Sequence, residues 1–406
     1  MFLRFYSRAY QFLLKSMAPL FNWQPESVLN CAGCIEKLAP KMADDNIDRV
    51  LIVTDEKILN AGLLNSLLAS LNEANIIYYI YKGVEENPSV SHAKEARDLY
   101  LRENCQAIIG FGGGSAIDCA KGAGVLSTNN MEHLSEYKGF MKVKNKLPYL
   151  VAVPTTAGTG SEASNSAVLS DETGENKFVI TDAKLMPKTV VLDPELLISL
   201  SREMTAYTGM DALVHAVEAY ISQNSNKQTR ILSEEAVELI FKNLYESYQD
   251  GSNITARTNM QRASYFSGKA FTRAGLGNIH ALSHSIELKY KIQHGHAVAY
   301  LMPYVLEKYG SKINSQLAKL ALIAGVSEES DRIEESAQKF IHEIRELNEK
   351  MNIEMPLNAL AKEEVGFLAK LAYKEANPYY PVPVMFNKDD FQGLLERVFI
   401  SERRIA

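Results

Sequence analysis

Ala107-Ile108-Ile109-Gly110-Phe111, followed directly by Gly112-Gly113-Gly114-Ser115, is the stretch of this 406-residue chain that decides its fold. The apolar run predicts a buried strand, and the small residues after it predict a tight turn. The segment from Ala116 to Leu126 then has helical periodicity. A strand, a glycine turn and a helix in this order are typical of a parallel sheet covered by helices.

The same alternation extends to both sides of this unit. Further strands are predicted at 49–55, 76–81 and 149–154, and helices at 63–74 and 92–104. From about residue 200 onward the strand signals almost vanish and the remaining patterns are helical. The sequence therefore predicts an α/β domain with a Rossmann-like parallel sheet at 1–198 and an all-α domain at 199–406.

Charge and hydropathy argue against nucleic acid as a partner and against a membrane-spanning segment. A net charge of -6 offers no broad basic field for nucleic acid. No apolar run reaches the roughly 20 residues that a transmembrane helix needs. Residues 1–25 form a basic, aromatic, amphipathic extension that lacks the unbroken apolar stretch of a secretory signal. We expect it to form a helix packed on the domain or on a neighbouring subunit, which favours a homo-oligomer such as a homodimer. A targeting or membrane-surface helix is the alternative.

The chain has four cysteines: Cys31, Cys34, Cys105 and Cys119. Cys31 and Cys34 form a C-x-x-C motif, but no second C-x-x-C completes a zinc site and no thioredoxin-like pattern surrounds it. Cys105 and Cys119 are expected to be small buried apolar residues. This cysteine usage indicates a cytoplasmic protein.

The glycine turn is the first candidate for chemistry. Gly112, Gly113 and Gly114 let the backbone approach an anion closely, and Ser115 opens a helix whose N-terminal N–H groups attract phosphate. Asp118 follows in the first turn, where an acid suits the helix dipole. A plain strand–helix turn is the alternative. The usual dinucleotide motif follows the first strand, whereas these glycines follow the third predicted strand.

A second polar loop closes another strand. Pro154-Thr155-Thr156-Ala157-Gly158-Thr159-Gly160-Ser161-Glu162 supplies hydroxyls and N–H groups that are good partners for phosphate and ribose oxygens. It lies at the carboxyl end of a predicted strand, where α/β sheets place ligands. Asp55, at the end of the first predicted strand, is the candidate acid for a ribose. The alternative is a polar loop with a helix N-cap at Ser161.

Histidines and one acid recur at helical spacing in the second half of the chain. Asp211 and His215 are four residues apart, as are His280 and His284, and His294-Gly295-His296 follows. On a helix this spacing places two side chains on one face. Imidazole nitrogens with a carboxylate oxygen, and without thiolate, suit a divalent transition metal such as iron or zinc. Ordinary core or surface histidines are the alternative.

Taken in order, these motifs resemble those of the iron-containing alcohol dehydrogenase family. The resemblance runs from about Cys31 to the end of the chain and also includes Asp193-Pro194 and Gly209-Met210-Asp211-Ala212. It implies an N-terminal dinucleotide-binding domain and a C-terminal helical domain that holds a metal in the cleft between them. This architecture is shared with dehydroquinate synthase-like proteins.

The resemblance also implies roles for individual residues. Asp211, His215, His280 and His294 match the metal ligands, and His284 matches a residue near the nicotinamide. We therefore take His284 as the catalytic candidate, either for proton relay or for orienting that ring, and the alternative is a residue that steadies the metal ligands. The matched cofactor positions are Asp55, Asn87, Gly112, Gly113, Gly114, Ser115, Asp118, Thr155, Thr156, Thr159 and Lys177.

Two departures from the family pattern lie near the metal residues. Ser285-Ile286-Glu287 stands after His284, where the family usually has a Leu-Gly or Gly-Gly step, and Gln293 stands where Pro is common. His296 matches no family ligand. We expect these changes to affect the substrate pocket more than the metal.

The implied activity is hydride transfer between a small primary alcohol, or its aldehyde, and NAD, with the metal activating the alcohol oxygen. Asp55 favours NAD over NADP because a carboxylate repels a 2′-phosphate. The donor set suits Fe(II) and Zn(II) alike, and the family name favours iron. The alternatives are a glycerol or diol dehydrogenase, a hydroxyacid–oxoacid transhydrogenase, a dehydroquinate synthase-like lyase and a non-enzymatic metal- or nucleotide-sensing module. The lyase is disfavoured because the metal segments are nearly free of the Lys and Arg that a phosphate-bearing substrate needs.

Overall fold

The computed structural model describes residues 2–17, 24–129, 133–172, 177–354 and 362–400. The strands are β1 Ser27–Asn30, β2 Arg49–Val53, β3 Ile77–Tyr81, β4 Ala107–Gly112, β5 Gly139–Phe140, β6 Tyr149–Pro154, β7 Ser166–Ser170, β8 Lys177–Thr181 and β9 Thr189–Leu192. The helices of the first half are α1 Phe2–Met17, α2 Leu38–Asp44, α3 Glu56–Asn60, α4 Asn65–Glu73, α5 Val90–Arg102 and α6 Gly114–Thr128. Those of the second half are α7 Arg202–Ile221, α8 Lys227–Gln249, α9 Ile254–Ala274, α10 Asn278–Tyr290, α11 His294–Tyr309, α12 Asn314–Ile323, α13 Ile333–Lys350, α14 Val365–Ala376 and α15 Lys388–Ile400.

Six parallel strands form the main sheet, in the order β1-β9-β6-β4-β2-β3. Ala107 of β4 pairs with Val50 of β2 on one side and with Tyr149 of β6 on the other. Every residue of β4 is buried, as expected for a strand covered on both faces by helices. The predicted fold class, a parallel α/β region followed by a helical C-terminal region, is confirmed.

The four predicted strands correspond to β2, β3, β4 and β6. The sequence did not reveal β1 and β9, which pair from Ser27↔Thr189 to Asn30↔Leu192 and add a flank to the sheet. Four residues give too little alternation for a pattern to identify a strand. A separate sheet of three strands, in the order β5-β8-β7, was also not predicted, and its β7 and β8 are antiparallel.

A close contact between β4 and α6 fixes where that helix begins. A Cβ added at Gly110 would lie 3.0 Å from Ile117 Cα and 3.0 Å from Ala120 Cβ, so only a glycine permits this approach. The helix starts at Gly114, directly after the strand. The first turn of α6 is therefore held over the carboxyl end of β4.

The second half is helical, and α7 is its most buried helix. Sixteen of the 20 residues of α7 are buried, including every residue from Thr208 to Ile221. Ser201 caps its N-terminus by accepting a hydrogen bond from Met204 N at 3.2 Å. A helix with apolar neighbours on all sides is rigid, which suits it to carry buried polar side chains in fixed positions.

Internal contacts divide the chain into two compact units. One comprises 22–200 and 251–268, and the other comprises 1–21, 201–250 and 269–406. The domain boundaries at 198 and 199 stay a prediction. Helix α1 belongs to the helical unit, where Gln11 Nε2 donates to Pro378 O at 2.9 Å and to Tyr380 O at 2.8 Å.

Within the described ranges, we find no helix of the length and apolar character that crossing a membrane requires.

Candidate functional site

Helix α7 places Asp211 and His215 one turn apart on one face. Both side chains are buried, with 2% of Asp211 and 5% of His215 exposed. The His215 ring stacks on Phe271, with the ring centroids 4.4 Å apart. The predicted i, i+4 pair therefore exists and points into the interior of the helical unit.

Helices α10 and α11 bring two more imidazoles to this pair. His280 Nε2 lies 3.0 Å from His215 Nε2. Asp211 Oδ1 lies 3.6 Å from His215 Nδ1, 3.8 Å from His280 Nε2 and 3.4 Å from His294 Nε2. Ligand atoms bonded at about 2.1 Å to a tetrahedral ion are themselves roughly 3.4 Å apart. Of the four side chains that match the family's metal ligands, Asp211, His215 and His280 offer ligand atoms within 4.8 Å of one another, and His294 approaches the same Asp211 oxygen.

An unsatisfied carboxylate oxygen shows that this cluster fits a cation. Asp211 Oδ1 is buried, and no described residue makes a hydrogen bond to it. Burial alone would raise the pKa of Asp211, but the facing imidazoles of His215 and His294 outweigh it and hold that pKa well below its usual range. A buried anion without a hydrogen bond is costly unless a cation compensates it. The donor set, three nitrogens and one oxygen, is one that iron or zinc accepts.

Glu218 supports His280 from the side away from the cluster. Its Oε2 accepts from His280 Nδ1 at 2.7 Å and from Gly277 N at 2.6 Å, and its Oε1 accepts from Ile279 N at 2.7 Å. Burial lowers the pKa of His280, but the Glu218 carboxylate raises it to about 9. A carboxylate on Nδ1 fixes the tautomer that leaves Nε2 free to bind a metal.

Glu287 supports His294 in the same way. Its Oε1 accepts from His294 Nδ1 at 2.6 Å and from Ser283 Oγ at 2.5 Å. Against the effect of burial, Glu287 and Asp211 raise the pKa of His294 to about 10. Glu287, which belongs to the departure from the family pattern after His284, thus supplies a buried carboxylate to His294, a predicted metal ligand.

His284 lies beside the cluster with its own acid. Its Nδ1 bonds to Glu375 Oε1 at 2.5 Å, and Tyr380 OH donates to the same oxygen at 2.7 Å. The centroid of its ring is 5.2 Å from that of His294. His296 is separate, because it stacks on Tyr207 and its Nε2 bonds to Glu354 O at 2.6 Å.

The sequence did not predict a role for these three glutamates, because acids are common on helices. A signal existed for two of them. Glu218 is three residues after His215 on α7, and Glu287 is three residues after His284 on α10, so each lies on the same helix face as a predicted site residue. Glu375 is 91 residues from His284 and gave no local signal.

The predicted nucleotide residues meet at the carboxyl ends of three adjacent strands. Asp55, Gly112 and Thr155 come at or directly after the ends of β2, β4 and β6, which are neighbours in the sheet. Thr155 N donates to Gly112 O at 3.0 Å. Gly112 has a φ of 150°, and a Cβ there would lie 2.8 Å from Ala116 Cβ, so the turn requires glycine. This is the edge where α/β sheets bind ligands.

The glycine turn packs directly against the threonine loop. A Cβ added at Gly113 would lie 3.4 Å from Thr156 Cγ2, and one at Gly114 would lie 2.9 Å from Thr159 Cγ2. In the described chain, no side chain caps the start of α6. The free N–H groups of its first turn and the threonine hydroxyls therefore line one surface that suits a phosphate.

Asp118 is buried and bonded within the protein. Its Oδ2 accepts from Val168 N at 2.9 Å, and its Oδ1 accepts a very short hydrogen bond from Ser161 Oγ. Burial raises its pKa. Lys121, also fully buried, donates to Ser161 O at 2.7 Å and to Ser164 O at 2.8 Å, and burial lowers its pKa to about 8. This pair holds the threonine loop in place.

The remaining predicted cofactor residues lie on other segments. Ser115 is partly exposed in the first turn of α6. Asn87 is exposed, with a φ of 59°. Lys177 begins β8 and pairs with Ser170, whose N–H donates to Pro88 O at 2.9 Å. The structure thus places Lys177 and Pro88, the residue after Asn87, next to Ser170.

Comparison with known proteins identifies the family of this chain. The family described as iron-containing alcohol dehydrogenase matches residues 25–194, and the C-terminal region of the same family matches 205–399. The chain is 36% identical over 336 residues to a 1,3-propanediol dehydrogenase of Citrobacter freundii, covering 82% of this chain and 86% of that protein. It is 36% identical over 359 residues to alcohol dehydrogenase 4 of Schizosaccharomyces pombe, covering 86% and 83% of the two chains.

A solved structure gives the same result in three dimensions. The crystal structure of a 1,3-propanediol oxidoreductase superposes with a TM-score of 0.90 at 32% identity, covering 93% of this chain and all of that one. Both halves of the chain match one family, and relatives above 30% identity span most of its length. The chain therefore belongs to the iron-containing alcohol dehydrogenase family and is an oxidoreductase that acts on alcohols.

Proposed function

We propose that this protein is a metal-dependent, NAD-linked dehydrogenase that interconverts a small primary alcohol and its aldehyde. The observation that carries the proposal is the convergence of Asp211 Oδ1 with imidazole nitrogens of His215, His280 and His294 at 3.4–3.8 Å. Family membership supplies the reaction class.

Asp211, His215, His280 and His294 would hold the metal, which we propose to be Fe(II), with Zn(II) as the alternative. A bound ion supplies a Lewis acid that lowers the pKa of an alcohol hydroxyl, as it lowers that of water from 15.7 to about 7. Glu218 and Glu287 keep Nε2 of His280 and His294 turned toward the centre of the cluster. These bonds pre-organise the ligands before the ion arrives.

NAD is the proposed hydride acceptor, with NADP as the alternative. The first-turn N–H groups of α6, with Thr156 and Thr159, would bind its pyrophosphate. The Asp55 carboxylate would accept hydrogen bonds from a ribose and repel a 2′-phosphate. Asp118 and Lys121 would act indirectly, because their contacts hold the loop that carries the threonines.

His284 is the proposed residue that receives the alcohol proton. Glu375 occupies its Nδ1, which leaves Nε2 available to a proton or to a ring edge. Glu375 is 32% exposed, so His284 and Glu375 connect the buried cluster to solvent. A role in orienting the nicotinamide remains the alternative, and a His284→Ala variant separates the two, because external imidazole restores only a lost proton relay.

The physiological substrate is proposed to be a primary alcohol or a diol. One relative is named a 1,3-propanediol dehydrogenase and another an alcohol dehydrogenase, which makes a diol dehydrogenase the second candidate. The glycerol dehydrogenase and the hydroxyacid–oxoacid transhydrogenase share the reaction class. Family membership disfavours the lyase and the sensing module.

The test follows NADH absorbance after anaerobic loading with Fe(II) or Zn(II). Primary alcohols, 1,3-diols, glycerol and 2-hydroxyacids are offered with NAD, and the matching aldehydes with NADH. We expect turnover of a primary alcohol or diol, its loss in His215→Ala, and its retention in His296→Ala, a histidine outside the cluster. Absence of turnover on every compound with either metal would refute the proposal, as would full activity in His215→Ala.

We propose that the protein is a cytoplasmic homo-oligomer, such as a homodimer. All four cysteines are free, which suits a reducing compartment. On α1, Phe5 is 76% exposed and Phe12 is 72% exposed, whereas Gln11 bonds to the helical unit. Two exposed phenylalanines on one short helix suit contact with a second copy. Light scattering of the full chain, compared with Phe5→Ser/Phe12→Ser, tests this, and an unchanged mass would exclude α1 from the contact.

A further inference from the structure

The C-x-x-C motif, Cys31 to Cys34, forms a tight turn that takes no part in the proposed alcohol chemistry. Cys34 N donates to Cys31 O at 3.3 Å, and Gly33 has a φ of 67°. Residues one and four of such a turn have Cα atoms within about 7 Å, and a disulfide needs a Cα separation of about 4.4–6.8 Å. The backbone therefore already holds the two thiols near the separation of a disulfide.

The two thiols differ in access. Cys31 is partly exposed, whereas Cys34 is fully buried with its Sγ 3.5 Å from Leu192 O. Burial, with a smaller contribution from a hydrogen bond to the Cys31 side chain, raises the pKa of the Cys34 thiol to about 12. Lys37 Nζ lies 3.5 Å from Cys31 Sγ. A reagent in solution reaches Cys31 first, and Cys34 lies behind it.

The turn is anchored independently of its sulfurs. Asp193 Oδ1 accepts from Gly33 N at 3.0 Å, and its Oδ2 accepts from Ile35 N at 3.0 Å. Oxidation would remove the weak thiol contact with Leu192 O and alter the contacts of the Cys31 sulfur, but the backbone bonds to Asp193 do not involve either sulfur.

We propose that Cys31 and Cys34 form a redox-active dithiol, a site at which a low-molecular-weight disulfide such as oxidised glutathione generates an intramolecular disulfide. The Cys31 thiolate attacks one sulfur of the reagent, forms a mixed disulfide and releases one glutathione. The Cys34 thiolate then attacks Cys31 Sγ, closes the Cys31–Cys34 bond and releases the second glutathione. Two protein thiols are oxidised, one disulfide is reduced, and both protons leave on glutathione.

The experiment treats the full-length protein with oxidised glutathione, quenches with acid, alkylates free thiols and maps each cysteine by peptide mass spectrometry. Wild type should form the Cys31–Cys34 disulfide, and dithiothreitol should reverse it. Cys34→Ser should accumulate one glutathione on Cys31, because no second thiol resolves the mixed disulfide. Cys31→Ser should leave Cys34 alkylated without prior oxidation. The buried Cys105 and Cys119 are internal controls that should stay reduced.

Two results would overturn the inference. One is a wild-type protein in which Cys31 stays reduced or stops at the mixed disulfide. The other is oxidation of Cys105 and Cys119 as fast as that of Cys31, which would show general unfolding. Circular dichroism of each variant before treatment confirms that the fold is intact. The readout needs neither metal nor alcohol, so it is independent of the proposed activity.

Discussion

Replacing Glu287 tests how this chain supports its metal ligands. Glu287 Oε1 accepts from His294 Nδ1 at 2.6 Å, and the side chain is buried. In Glu287→Gln the amide oxygen can still accept this bond, but the negative charge is lost. In Glu287→Ala the acceptor itself is lost. The two variants therefore separate the charge from the hydrogen bond.

The expected size follows from the strengths of the two kinds of bond. A hydrogen bond to a charged group contributes about 1.5–3 kcal/mol and a neutral one about 0.5–1.5 kcal/mol. The glutamine variant should therefore lose about 1–1.5 kcal/mol of metal-binding free energy, or roughly tenfold in Kd. The alanine variant also lets the ring rotate, and the loss should approach a hundredfold, the upper part of the range of about 10–100 for such partners.

The assay is anaerobic competition for Fe(II), and separately for Zn(II), against a chromophoric chelator. Glu375→Gln is the matched control, because it removes the same kind of bond from His284, which is not a proposed ligand. We expect metal affinity to stay near wild type in that control while turnover falls. Equal metal affinities in Glu287→Ala and wild type would refute the reasoning, and so would equal losses in the Glu287→Gln and Glu375→Gln variants.

Three further predictions concern the preference for NAD or NADP, the protons released on metal binding, and the stability of the loop that carries the threonines. Asp55→Asn should raise the preference for NADP relative to NAD while keeping the hydrogen bond that caps α3 at Ile58 N, and Asp55→Gly should raise the same preference but lose that cap at a small cost in stability. Unchanged ratios of kcat/KM for the two cofactors would show that Asp55 does not contact the ribose. At about pH 7.5, metal binding should release two protons, because the metal-free His280 and His294 have pKa values raised to about 9 and about 10. Calorimetry in buffers of different ionisation enthalpy counts the released protons, and a count of zero would contradict the assignment of these two histidines as ligands. Lys121→Met should lower the free energy of unfolding, measured by urea denaturation, by about 3–5 kcal/mol, because it leaves buried acids and carbonyls uncompensated. The control Lys82→Met removes only an exposed ion pair and should cost less than about 1 kcal/mol.

The parts of the fold that the sequence could predict are those with a long or strong pattern. β4 and α6 were evident because a buried strand is an apolar run and glycines end it. β1 and β9 were not, because four-residue strands are held by their neighbours in the sheet rather than by their own composition. Helix α11 was not predicted either, although it begins at the metal-site residue His294.

At the site, residue type, spacing and the family resemblance predicted the metal ligands but not the acids that hold their imidazoles in place. Asp211 and His215 were paired by their separation of four, and the structure brings His280 and His294 to them from other helices. Hydrogen bonds across 91 residues, such as that of Glu375 with His284, leave no trace in spacing. Asp118 was predicted to line a cofactor from the family resemblance, and its long-range contacts with Ser161 and Val168, 43 and 50 residues away, were not predicted.

The central claim is that one divalent ion is bound by Asp211, His215, His280 and His294. Anomalous diffraction at the iron edge, from a crystal loaded anaerobically with Fe(II), tests it most directly. We expect a single strong peak within bonding distance of Asp211 Oδ1 and of one nitrogen from each of the three histidines. A peak bound elsewhere, or none at this cluster in an iron-replete and active protein, would contradict it.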